Sequence, residues 1–247
     1  MRLIFSKLET YNNNRNYLYM TDYNFDSDES NWDHLSNESN WNEAQWRNYL
    51  RMTEKDSARF LSIYNSVKDK SNHLDEAASL MGWDGDDISL IEEDLQAEES
   101  AENTNTNDFS NLPYTLHKHP VFIVTKALYK YLNQSWSHFL NNNPSISPKV
   151  CWDFAQSLHL GEFNVLLAIQ ALDLGDYGLA ICHLKNSLAE LNQSLRILSD
   201  LSHNDEEFLK AFTQEMRIRL FDLRELWIRV MNDCRHESQR RGDKDSE

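Results

Sequence analysis

Residues Gly161–Leu201 read GEFNVLLAIQALDLGDYGLAICHLKNSLAELNQSLRILSDL. From Phe163 to Leu174 the stretch is apolar on every side, which predicts a helix buried all round. Gly175 supplies the left-handed residue that ends a helix, and Asp176 is a favourable cap for the next one. Tyr177, Ile181, Leu184, Leu188, Leu191, Leu195 and Leu198 then alternate spacings of four and three, a continuous apolar seam. Lys185, Asn186, Glu190, Asn192, Gln193 and Arg196 lie off that seam. The stretch therefore predicts an antiparallel helical hairpin at the centre of an all-α bundle.

The flanking sequence extends the bundle. His119-Pro120 places proline at a helix start, and Val121, Val124, Leu128, Leu132, Ser135 and Phe139 follow on one face. Asn141–Pro144 reads as the loop that ends this helix, and Ser147-Pro148 opens the next. Asn204 with Glu207 reads as a capping box for a last helix, striped by Leu209, Phe212, Met216, Leu220, Leu223, Trp227 and Val230. Helices are expected near 120–140, 148–174, 177–201 and 205–235, antiparallel because their connections are short. Glu215 with Arg219 and Glu225 with Arg229 add pairs worth a few tenths of a kcal/mol each.

The first half differs. Residues 1–115 carry 23 acids and 9 bases, most of the chain's net charge of −16. Residues 1–40 form a polar Asn/Asp-rich segment, with an echo of Glu-Ser-Asn-Trp at 29–32 and 38–41 that reads as two helix caps. Residues 41–82 read as short helices that pack through Trp41, Trp46, Phe60 and Tyr64. Trp46, Leu50, Phe60, Tyr64 and Val67 share a face, and Thr53-Glu54-Lys55-Asp56 suggests a break near Met52. Residues 83–112, with nine acids and no base between Asp84 and Glu102, read as an acidic linker. Residues 113–236 form the bundle core and 237–247 a charged tail. The expected architecture is an antiparallel helical bundle on a central hairpin, with an acidic, partly irregular N-terminal half.

Chemistry is harder to find. No Gly-rich phosphate loop, nucleophile elbow or zinc-protease motif occurs. Cys151, Cys182 and Cys234 are far apart, lie in helical patterns and read as reduced core thiols of a cytoplasmic protein. Asp22, Asn24 and Asp26 with Asp33 resemble a calcium loop, but Ser27 and Glu29 stand where glycine and an apolar residue are required. His159 and Glu162 lie three apart on one helix, at a level facing Leu188–Leu191, so Glu190 completes a candidate metal set. The better reading of that set is a polar patch at the helix surface. His117-Lys118-His119 reads as a loop before a helix, and His183 as a packing residue.

The run Leu174–Leu184 resembles the middle of a tetratricopeptide repeat, with a Gly-Asp-Tyr turn leading to Ala180 and Leu184 and with Leu167-Ala168 in the preceding helix. Asn164 and Ala171 stand where that family has Trp and Tyr, and the likeness covers one repeat where stacking needs about three. The run is accordingly read as helical-hairpin chemistry, not as membership.

The acidic charge argues against nucleic acid and anionic lipid, which bind Lys and Arg. No apolar run has the length of a membrane span. The expectation is a non-catalytic helical protein-binding or scaffold protein without a cofactor, whose partner is another protein with a basic surface. The alternative is an enzyme or a small-ligand or metal-binding protein with its site between bundle helices.

Overall fold

The computed structural model describes residues 42–83, 116–143, 146–201 and 207–244. Among these there are six α-helices, one 3-10 turn and no strand. The helices are α1 (Glu43–Val67), α2 (His73–Leu80), α3 (Pro120–Asn142), α4 (Pro148–Asp173), α5 (Tyr177–Leu201) and α6 (Glu207–Lys244); the 3-10 turn is Leu116–Lys118. The calcium-like run at 22–33, Trp41, the acidic stretch at 84–112 and Asn204 lie outside the described residues.

The described residues divide into two compact units, 42–56 with 63–83, and 57–62 with 116–143, 146–201 and 207–244. Helix α1 opens on a capping box: Gln45 N–H donates to the Asn42 side chain at 2.9 Å and Asn42 N–H to the Gln45 side chain at 2.8 Å. The helix runs unbroken through Met52, contrary to expectation. Thr53 does not cap; it is buried, and its hydroxyl donates to the Tyr49 carbonyl at 3.2 Å, an alternative that a helix tolerates. The buried face is Tyr49, Thr53, Ser57, Phe60, Tyr64 and Val67, so Trp46 and Leu50 fall outside it and are exposed. His73 at the head of α2 meets the Tyr64 ring edge-on at 5.6 Å, and Gly82 ends this piece at φ 75°.

The second unit is a four-helix bundle in which each helix touches the next and α3 also meets α6. Its senses follow from named contacts. Ser157 and Ser194 share a hydrogen bond at 2.7 Å and Ser187 donates to the Gly161 carbonyl at 2.9 Å, so α4 and α5 run antiparallel. Lys126 pairs with Glu162 and Trp136 packs on Phe154, so α3 and α4 do too. The turn between α4 and α5 is as expected: Gly175 has φ 76° and Asp176 accepts from Leu179 N–H at 2.9 Å.

Packing closes the bundle at two levels. Trp136 lies 4.3 Å from Phe154 and 5.5 Å from Phe139 between ring centroids, and Phe139 stacks on Phe212 at 4.1 Å. Further along α6, buried Arg219 pairs with Glu215 at 2.7 Å while its guanidinium lies 3.7 Å above the Tyr131 ring. The expected Glu215–Arg219 pair forms, but with its cation buried, where the carboxylate and the ring both compensate the lost hydration. The α6 stripe is buried as expected apart from half-buried Phe212, but the helix continues to Lys244, beyond 235.

Two expectations about the hairpin change. On α5, Tyr177, Leu184, Leu191 and Leu198 are buried, but Ile181, Leu188 and Leu195 are only half-buried. Ala180, Ser187 and Ser194 take the inner positions instead, because small residues let α4 approach closely. On α4, Phe163 is 50% exposed and Leu174 79%. The helix is not buried all round; one side of it faces out.

Leu191→Ala should lower the unfolding free energy by about 2–5 kcal/mol, because Leu191 is fully enclosed. Leu179→Ala, on the exposed side of the same helix, should cost less than about 0.5 kcal/mol. Urea unfolding of the two variants checks the assignment of faces.

Candidate functional site

The interior between α3, α4 and α5 is polar in its middle. Gly161 of α4 offers no side chain, and the Tyr129 hydroxyl of α3 fills the space, 2.7 Å from where a Cβ would stand. Beside it the Ser187 hydroxyl is engaged with the Gly161 carbonyl. Burial chiefly, and Glu162 and Glu190 in addition, push the Tyr129 hydroxyl well above the ordinary tyrosine range against a smaller pull from Ser187. A phenol held neutral in this way is a spacer and not a base, and a serine already donating to a backbone carbonyl is not an activated nucleophile.

The sequence candidates are distributed around this level. Glu162 is half-buried and bound to Lys126 Nζ at 2.9 Å. Glu190 lies on the facing turn of α5, its Cβ 3.7 Å from the Cβ position of Gly161. His159 is on the exposed side of α4. They do not come together as ligands: among the described residues no group of three or more His, Cys, Asp or Glu side chains is placed to hold a metal ion.

His119 is the N-cap of α3. Its Nδ1 accepts from Val121 N–H at 3.2 Å, and burial lowers its pKa from 6.5 to about 4. Of the cysteines, Cys234 is buried and its thiol is pushed up to about 12 chiefly by burial, while Cys151 is half-buried and Cys182 is exposed. Only Cys234 is the core thiol that the sequence suggested for all three. An exposed position on a helical pattern carries the same periodicity as a buried one.

The outer side of α4 was not anticipated. Trp152 (70% exposed), Phe163 (50%) and Leu174 (79%) recur every eleven residues, three helical turns to within about 20°, and so line one face. Ala155, Gln156, His159 and Gln170 are the other exposed residues between Trp152 and Leu174; no Asp, Glu, Lys or Arg in that span is exposed. At the Trp152 end the face opens into a groove of about 380 Å³ lined by Leu140, Asn143, Ile146, Pro148, Cys151, Trp152 and Ala155. Single exposed apolar residues are ordinary; here three of them align on a face without exposed Asp, Glu, Lys or Arg, beside an apolar groove. The signal was present in the eleven-residue spacing; the apolar residues on the inner side of the same helix hid it.

Comparison with family models, with curated proteins and with solved structures finds no match. Among the described residues no helix is long and apolar enough to cross a membrane.

Gly161→Ala should destabilise the protein, because the new methyl meets the Tyr129 hydroxyl at 2.7 Å. In a Tyr129→Phe background the nearest ring carbon is 3.5 Å away, an ordinary contact, and the same change should be neutral or stabilising by up to about 1 kcal/mol through helix propensity. A thermal-unfolding double-mutant cycle reads the difference. His119 makes a second prediction. Its pKa is depressed on folding, so the unfolded chain takes up the proton first and stability falls as pH drops from about 6.5 to about 4, by about 3 kcal/mol in all. His119→Asn keeps a capping acceptor without titrating, and should flatten the pH dependence in that window relative to the parent chain.

Proposed function

We propose that the protein is a non-catalytic helical scaffold that binds another polypeptide through the outer face of α4. The observation that carries this reading is the exposed row Trp152, Phe163 and Leu174, free of exposed Asp, Glu, Lys and Arg. Burial of such side chains yields roughly 25 cal/mol per Å² of apolar surface, and a neutral face avoids the desolvation of charges. Trp and Phe are also the residue types that carry binding energy in interfaces.

The acidic first half adds a second element. Residues 1–115 hold 23 acids against 9 bases and would attract a partner with a basic surface, an attraction that weakens as salt rises. The same charge disfavours nucleic acid as a ligand. Three free cysteines, one of them exposed, suit a reducing compartment such as the cytoplasm.

A photo-crosslinking residue placed at Gln156 should yield, in cells that produce the protein, an adduct with a polypeptide, migrating above the 29.1 kDa of the single chain. The same residue placed at Asn192, exposed on α5, should not. Absence of any polypeptide adduct at Gln156, with the chain folded, would contradict a docking role for α4.

A further inference from the structure

We infer that the occupant of the α4 face is a second copy of this chain, packed antiparallel across a two-fold axis that passes beside Phe163. The inference rests on the reading of α4 as a protein-binding face, and it follows from the order of residues along that face. Trp152 and Leu174 lie eleven residues to either side of Phe163, and Gln156 and Gln170 lie seven to either side. At 100° per residue all four stand within about 20° of the Phe163 direction. A two-fold axis at Phe163 therefore sets the two Phe163 rings against each other, Gln156 opposite Gln170, and Trp152 opposite Leu174. Such self-complementarity is what an isologous interface requires, since each contact must occur twice.

Shape supports the same register. Leu174 is a projecting side chain at one end of the face, 79% exposed. The apolar groove formed by Leu140, Ile146, Pro148 and Ala155 beside Trp152 is at the other end. Both are about 16.5 Å along the helix from Phe163, at 1.5 Å per residue. The axis brings the Leu174 of one copy to the groove end of the other, twice over. The facing glutamines provide a pair of reciprocal amide hydrogen bonds between the apolar residues of the strip, the kind of polar contact that fixes register; the strip also carries exposed His159.

Salt dependence distinguishes this occupant from a basic one. Two copies each carry −16 and repel at long range, so their interface must be the part of the surface without exposed acids, which α4 provides. Salt screens that repulsion, so pairing through α4 tightens as salt rises, whereas attraction of the acidic half to a basic protein weakens. With α4 so occupied, the acidic half of each copy is left to meet a basic partner.

The test is sedimentation of the purified full chain across concentration, at about 50 mM and about 500 mM salt, with Phe163→Glu and Leu174→Glu beside the parent. The expected result is a monomer–dimer equilibrium, tighter at the higher salt, weakened at least tenfold by either variant with helix content by circular dichroism unchanged. The register is read by disulfide trapping in a background with Cys151→Ser and Cys182→Ser. A Gln156→Cys chain mixed with a Gln170→Cys chain should form a disulfide-linked pair, and neither alone should do so. Trapping of Gln156→Cys with itself would overturn the antiparallel axis. A chain that stays monomeric at both salts, or a dimer that loosens with salt, overturns the second copy as occupant. If Gln156 then still crosslinks to a different polypeptide in cells, the docking reading survives alone; if it crosslinks to none, both fail.

Discussion

The missing side chain at Gly161 sets the spacing of the bundle. Because nothing projects there, the Tyr129 hydroxyl of α3 lies over the α4 backbone and Ser187 of α5 reaches the Gly161 carbonyl. Three helices are drawn to one point, and the Ser157–Ser194 contact one turn away keeps α4 and α5 close along their length. Close approach of this kind requires small residues on the facing sides, which is why Ala180, Ser187 and Ser194 are buried while bulkier Ile181, Leu188 and Leu195 are displaced to the flanks. The larger side chains fill the space at the bundle's other levels, around Trp136 between α3, α4 and α6 and around Arg219 above Tyr131.

That inner constraint fixes what is left outside. With Gly161, Val165, Ala168 and Leu172 turned inward, Trp152, Phe163 and Leu174 have no place in the core. The bundle closes without them, so their apolar surface contributes little to folding. Such exposed apolar surface is unfavourable in water. The three apolar side chains left outside the core at helical register are the observation on which the proposed docking role rests.

Much of the architecture was legible because local signals agreed with one another. Pro120 and Pro148 at helix starts, the Gly175-Asp176 turn and the α6 stripe each marked an element that formed where expected. The break near Met52 was misread because Thr53 followed by acids has the composition of a cap, whereas Thr53 is buried within a continuous α1. The α5 seam holds at Tyr177, Leu184, Leu191 and Leu198 but is displaced by one position at Ile181, Leu188 and Leu195, since hydrophobicity ranks Ile181 above Ala180 although close packing favours the smaller residue. The α4 face was illegible for a related reason. A helix apolar on both its inner and its outer side has the pattern of one buried all round, and only the neighbouring helices reveal which side is covered.

The central claim is that folding of a single copy leaves the outer face of α4 open while the opposite face is sealed. Carbene footprinting at a concentration low enough to keep the chain monomeric tests it directly. Strong labelling is expected at Trp152, Phe163 and Leu174, with protection of Trp136, Leu191 and Trp227, which the bundle encloses. Protection of Trp152, Phe163 and Leu174 in the single chain would show that the protein covers this face itself, and would contradict the account.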